Sequence, residues 1–272
     1  MTSPHADLVA RIQRVASAFI IAWVEGIRDL PGNPEGVTVA HFGGATALAC
    51  TARPTLDFVN SAHGLDPAEP ARVDEVTAFY RAAGTRGHVE VAPARGIEDV
   101  TARLAAAGWS HTGFHCSLHG RAVPPKAPGA VEVVEAGPAD VPDFSRILAE
   151  GHGVPAAERA AAQAGTATWY GRDGWRLYLA LLEGEPAAAA ALTVTGGLGY
   201  LANAATLPSA RRHGCQAALL ARRIADAADA GCDTVASLAA FGSASHRNLE
   251  RAGLRVAFTQ AVWEAGAIPP RA

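Results

Sequence analysis

Apolar positions recur at helical spacing through residues 7–29, around the run Ala18–Val24, so the chain opens on a buried amphipathic helix. The pattern then changes, and Val37–Ala47 and Thr55–Ala62 read as strands. Val73, Val76, Phe79 and Tyr80 share one side of a helix over Ala71–Ala83. A strand at His88–Ala92, a helix at Ile97–Ala107 and a strand at Ser110–His119 follow, with Gly84, Gly96 and Gly108 at the boundaries.

The segment Arg121–Ala130, RAVPPKAPGA, carries three prolines and a glycine. Such a stretch suppresses helix and removes strand donors, so residues 123–130 read as a linker between a domain at 1–122 and one at 131–265. Beyond it the expected elements are a strand (Val131–Val134), a helix (Pro138–Glu150), a short helix (Ala156–Gln163) and three strands (Trp175–Glu183, Ala187–Thr195, Tyr200–Ala205). A long helix ending at Gly231, a strand (Thr234–Leu238), a helix (Ala244–Ala252) and an extended stretch (Leu254–Glu264) complete the order β-α-α-β-β-β-α-β-α-β. The first half reads as a shortened copy of this order.

Composition narrows the function classes. The chain of 272 residues is 49% hydrophobic and 18% charged, enough to bury a sizeable core. A net charge of −3 provides no broad basic field for nucleic acid, and Lys126 is the single lysine. The apolar run Ala18–Val24 is too short to span a bilayer, and no small-residue cleavage site follows it. Cys50, Cys116, Cys215 and Cys232 form no CxxC pair, so reduced thiols in a cytoplasmic protein are expected. His111, His115 and His119 sit at strand spacing, which would hold successive rings about 13 Å apart. That is too far for one ion, and no metal is assigned.

The stretch with chemical content is Thr206-Leu207-Pro208-Ser209-Ala210-Arg211-Arg212-His213-Gly214-Cys215-Gln216-Ala217. A strand ends, an Arg-x-x-Gly turn follows, and an apolar helix begins at once. The first amides of a helix lack carbonyl partners and carry the positive end of its dipole. Consecutive amides from Arg212 through His213, Gly214, Cys215 and Gln216 to Ala217 therefore suit a diphosphate, with Arg211 and Arg212 adding charge. The plain alternative is a tight turn with no ligand.

This stretch resembles the coenzyme A pyrophosphate loop of the GNAT acyltransferase superfamily, Gln/Arg-x-x-Gly-x-Gly/Ala. Arg211 and Gly214 match, while Gln216 departs at the second small position. Thr206-x-Pro208 is similar to the family's Val-x-Pro exit, and Ser245-x-x-Asn248-x-x-x-x-Gly253-Leu254 to the end of its fourth helix. The resemblance implies an α/β (α+β) fold of two GNAT-like mixed-sheet domains in tandem. The C-terminal one bears the complete acyl-CoA motif and the N-terminal one is degenerate, because no Arg-x-x-Gly loop precedes its Ala71 helix.

By the same resemblance, main-chain groups of Ala205, Thr206 and Leu207 pair with the pantetheine arm, and Asn248 makes a polar contact to CoA or merely caps its helix. The family's acid is a tyrosine four residues before the helix-ending glycine; here that position is Leu249, so Ser243, Ser245, Asn248 or water must substitute, or the thiolate leaves unassisted. His152, in the acceptor loop beside Glu150, is the candidate base or simply a solvated histidine. Asn203 on the catalytic strand is a substrate ligand or a satisfied sheet residue. Trp169 and Tyr170 would floor an acceptor pocket or pack the core. The implied function is transfer of an acyl group, acetyl first, from acyl-CoA to an amine of a small molecule. Alternatives are a phosphopantetheinyl carrier-protein or aminoacyl-tRNA donor, or a noncatalytic CoA-binding module. No DNA or membrane partner is expected, and either a monomer or a homodimer is compatible.

Overall fold

The computed structural model describes residues 4–125 and 131–265. Its opening helix is α1 (Pro4–Arg28), which buries Ile12, Val15, Phe19 and Trp23 along one side. In chain order there follow β1 (Val37–Phe42), β2 (Ala45–Cys50), β3 (Ser61–His63), α2 (Arg72–Ala83), β4 (His88–Val91), α3 (Ile97–Ala106) and β5 (Trp109–Arg121). Next come β6 (Glu132–Glu135), α4 (Val141–Gly151), α5 (Arg159–Ala167), β7 (Trp175–Leu182), β8 (Glu185–Thr195), β9 (Leu198–Tyr200) and β10 (Ala204–Thr206). The remainder is α6 (Cys215–Asp229), β11 (Thr234–Ala240), α7 (Ala244–Arg251) and β12 (Arg255–Ala265). Among the described residues no helix is long and apolar enough to cross a membrane.

Three expected strands take a different form. Val37–Ala47 is a hairpin, because Gly43-Gly44 turns the chain in two residues with Gly43 at φ +60° and Phe42 opposite Ala45. Thr55–Ala62 is mostly a 3-10 turn, Asp57–Asn60, before β3. There the buried Asn60 side chain donates to the carbonyls of Arg53 and Leu56 and accepts from the Cys50 amide, folding a segment that reads as extended. Tyr200–Ala205 divides into β9 and β10.

The chain forms two compact units. One holds the described residues up to Cys116 together with those from Phe258 onward; the other is Ser117–Ala257. In the first, the strands run β1-β2-β3-β4-β12-β5. Val73, Val76 and Tyr80 of α2 and Val100 and Leu104 of α3 form its core with Val89, Val91 and Trp109, whose indole N–H donates to Thr77 Oγ1 at 2.9 Å. Ala261–Glu264 of β12 pair antiparallel with His88–Val91, so the last strand belongs to this unit rather than to a domain running 131–265. Proline content marks a break in the chain but carries no information on which sheet a distant strand joins. Of the expected linker, 123–125 is irregular and 126–130 lies outside the described residues.

In the second unit the strands run from β6 through β7, β8 and β9 to β11, with β10 paired to β8 off that path. Ala187–Ala191 of β8 are all buried. Five successive small side chains leave room on both faces of the strand, and α4 and α6 both pack against it.

Candidate functional site

The site begins with a register fault. Thr193 of β8 faces Tyr200, yet Ala190 faces Ala204, so the β9–β10 side carries one extra residue. The Ala191 amide is shared between the carbonyls of Ala202 and Asn203, and Asn203 sits at φ +26°. This is a β-bulge, and it bends the strand. β9 remains parallel to β11 as far as Tyr200 opposite Ala236, whereas β10 continues along β8 alone. The Leu207 amide donates to Ala187 O at 3.0 Å, and the alternation of a strand then turns the main-chain groups of Ala204 and Thr206 toward the open edge. Ala205 and Leu207, both expected to offer their main chains to a donor, instead turn them toward β8, and the Leu207 amide is committed there.

The chain leaves β10 through the 3-10 turn Pro208–Ala210 and enters α6. Arg212 at φ +69° and Gly214 at φ +87° flank His213, and alternating left-handed residues gather successive amides into a concave nest. The first intrahelical bond runs from the Ala218 amide to Gly214 O, so the amides of Cys215, Gln216 and Ala217 lie ahead of the helical ladder. A cleft of about 570 Å³ opens here, lined by Gly151, His152, Ala204–Thr206, Ala210–Arg212, Gly214–Ala217, Ala244, Ser245, Asn248 and Arg251. Three guanidinium groups and no carboxylate line it, which suits an anionic ligand.

Most of the expected residues meet at this cleft, though in unequal ways. His213 and Leu207 do not line it. Asn203 is also absent from the lining, but its Oδ1 accepts a 2.6 Å hydrogen bond from Nε2–H of His152, which does line it. That bond leaves the lone pair of a neutral His152 on Nδ1. Ser245 stands in the first turn of α7 and Asn248 one turn on, its Oδ1 accepting from Arg251 Nη1 at 2.9 Å. Arg211 Nη2 donates to Gly151 O at the C-terminal end of α4. The Cys215 thiol is buried, and desolvation pushes its pKa up, so only its main chain is suited to a ligand. Glu150 lies between Arg146 and Arg159, outside the lining, and Trp169 packs in the core against Phe144 and Trp175. None of the four tyrosines lines the cleft, and Leu249 is buried behind it at 3% exposure.

Two residues escape sequence reasoning. Arg223 of α6, 1% exposed, donates from Nη1 to Ala191 O and Ala202 O at 3.0 and 3.1 Å, bridging the bulge. Burial pushes its pKa down to about 10, which still leaves it charged at neutral pH. An arginine on a helix otherwise rich in alanine gives no signal that it turns inward. Gly151 marks the closest approach of α4 to β10: a Cβ there would lie 2.7 Å from Ala205 Cβ and 3.2 Å from the Thr206 amide nitrogen. Gly151→Ala is therefore expected to push α4 off the strand and lower stability by about 1–3 kcal/mol, read as a fall in Tm. An unchanged Tm would show that the helix end yields freely.

Residues 128–246 match the profile of the acetyltransferase (GNAT) domain. Solved structures share the fold. The GCN5-related N-acetyltransferase from Kribbella flavida has a TM-score of 0.62 at 18% identity, covering 90% of this chain and 96% of its own. A tandem GNAT protein from the clavulanic acid biosynthesis pathway has a TM-score of 0.62 at 14% identity, covering 94% of this chain and 97% of its own. The GCN5-related N-acetyltransferase from Sphaerobacter thermophilus has a TM-score of 0.61 at 13% identity, covering 90% and 85%. No curated protein sequence matches.

Proposed function

We propose that the cleft of the second unit binds acyl-CoA, with acetyl-CoA the first candidate, and transfers the acyl group to an amine of a small molecule. The observation that carries this reading is the cleft itself: a cationic lining and a nest of amides at one end, and the open edge of β10 at the other. The diphosphate is assigned to the amides around Gly214 and the charge of Arg211 and Arg212. The pantetheine arm runs as an added strand along Ala204 and Thr206, and Asn248 and Arg251 meet the donor from α7. His152, held by Asn203, serves as base through Nδ1. Ser245 is the polar group nearest in role to the missing tyrosine.

The first unit is proposed as a GNAT-like partner in a tandem arrangement, without a donor site of its own. The first turn of α2 carries Asp74 and Glu75, which suit a helix dipole but repel phosphate, whereas α6 has no acid there. Calorimetry with acetyl-CoA is therefore expected to give one site per chain; two sites, or none, would overturn the assignment. Release of free thiol from acetyl-CoA in the presence of a panel of small amines tests the transfer.

The absence of a tyrosine from the lining favours a second reading, in which the cleft binds CoA without turnover. Measurable turnover excludes it, and the pH profile then tests the missing acid. Turnover is expected to rise with pH as the acceptor loses its proton, with no descending limb at about pH 9–10 where a tyrosine acid would titrate. Ser245→Ala is expected to slow it about 10²-fold at unchanged CoA affinity. A descending limb that vanishes in Tyr170→Phe would identify that phenol as the acid instead.

A further inference from the structure

A cluster in the first unit lies apart from this chemistry. His88 of β4 faces Glu264 across the antiparallel pairing with β12, so both side chains rise from the same face of the sheet. Asp57 reaches the same place from the 3-10 turn at Asp57–Asn60. One ring nitrogen of His88 and one carboxylate oxygen from each of Asp57 and Glu264 all lie within 4.8 Å of one another. Glu90, two residues along β4 and therefore on the same face, accepts from His88 Nε2 at 3.4 Å. Glu90 is itself anchored by His115 Nδ1 at 2.8 Å and Gln260 Nε2 at 3.0 Å.

The His88 ring is the unusual member. Its side chain is 8% exposed, and with Nε2 turned to Glu90 its Nδ1 is buried without a hydrogen-bond partner among the described residues. A buried polar nitrogen left unpaired loses its hydrogen bonds to water without replacement, so such an atom calls for an explanation. With a carboxylate fixing Nε2, Nδ1 is the ring nitrogen left for a ligand, and a carboxylate so placed is the arrangement that orients metal-binding histidines.

We propose that His88 Nδ1, Asp57 and Glu264 bind one divalent zinc ion, with Glu90 orienting the imidazole. Ligand atoms around tetrahedral zinc sit about 2.0–2.2 Å from the ion, hence about 3.4 Å apart, so the three groups must close by roughly an ångström. Asp57 is exposed and Glu264 is half-buried, which leaves both free to turn. Glu264 accepts from Arg86 at 3.3 Å and from Thr112 at 3.4 Å; Arg86 is 39% exposed and can yield its place. One imidazole and two carboxylates suit zinc better than magnesium, which dehydrates reluctantly and prefers oxygen alone. The ligands come from positions 57, 88 and 264, so the ion would fasten the last strand to β4 and the turn before β3.

Zinc titration of the full-length, tag-free, metal-depleted protein tests this, followed by calorimetry and by Tm. One site per chain and a raised Tm are expected. His88→Leu should abolish both while leaving the metal-free Tm no lower, because leucine removes the unpaired nitrogen from a buried position. Asp57→Asn, at an exposed position, keeps the test open if His88→Leu does not fold; it should weaken zinc by at least about 10-fold, and Glu90→Gln by about 10–100-fold. Failure of the wild type to bind zinc at 100 μM, or equal binding by the Asp57 and Glu90 variants, would overturn the proposal. Thiol release from acetyl-CoA should be unchanged in Asp57→Asn, which separates this site from the donor cleft.

Discussion

Gly214→Val is expected to weaken CoA binding by at least about 10²-fold in a protein that remains folded. At φ +87° Gly214 occupies the left-handed region, which costs an L-residue about 1–2 kcal/mol and a β-branched one more. Space is not the obstacle, since a Cβ would lie 3.7 Å from Val131 Cγ2, an ordinary contact. The strain falls on the backbone, and the relaxed loop turns the amides of Cys215–Ala217 away from their shared focus. Each charge-assisted hydrogen bond to phosphate is worth about 1.5–3 kcal/mol, so losing two suffices for the predicted change. Gly214→Asn, which tolerates left-handed φ, should retain intermediate affinity and so separate backbone conformation from side-chain bulk. Calorimetry with CoA and a circular-dichroism melt check both variants; full affinity in Gly214→Val would remove the diphosphate from this loop.

The second large effect is expected at Arg223, which does not line the cleft. Arg223→Met keeps most of the buried apolar volume but withdraws the donor shared by Ala191 O and Ala202 O. Leaving buried carbonyls short of a donor costs about 1–3 kcal/mol each, so a loss of about 2–5 kcal/mol in stability is expected, measured by denaturant unfolding. A specific consequence should accompany it. Without the guanidinium the bulge loses the support that holds Asn203 at φ +26°, and the His152–Asn203 bond goes with it. Turnover should therefore fall while CoA affinity, set at the α6 nest, changes little. Arg223→Lys offers one ammonium where a planar fork spans two carbonyls, and it should recover only part of either loss. A variant destabilised with kcat intact would confine Arg223 to a structural role.

The two cases differ in how far they could be read in advance. Arg211-x-x-Gly214 announces itself because helix start, glycine and charge are adjacent in the chain. Arg223 looks like any solvent-facing arginine until the bulge it bridges is known, and the bulge exists only as a mismatch between β8 and the strand opposite. The same holds for Leu207, whose motif position suggested a donor contact but whose amide the register assigns to Ala187. Gly43-Gly44 was legible in principle, as a two-residue turn between alternating stretches, yet the apolar run around it reads as one strand.

By itself the sequence determined what depends on neighbours along the chain: most helices and strands of both halves, the helix-opening loop at Arg211–Ala217, and an inventory of polar groups without a tyrosine at position 249. Tertiary structure alone decided which edge of β10 stays open, which unit the last strand completes, and the meetings of His152 with Asn203 and of His88 with Asp57 and Glu264. These are contacts between distant positions, and their stability comes from burial and sheet register gained only after long loops have closed. No local period or composition encodes that gain, so it appears first in the folded chain.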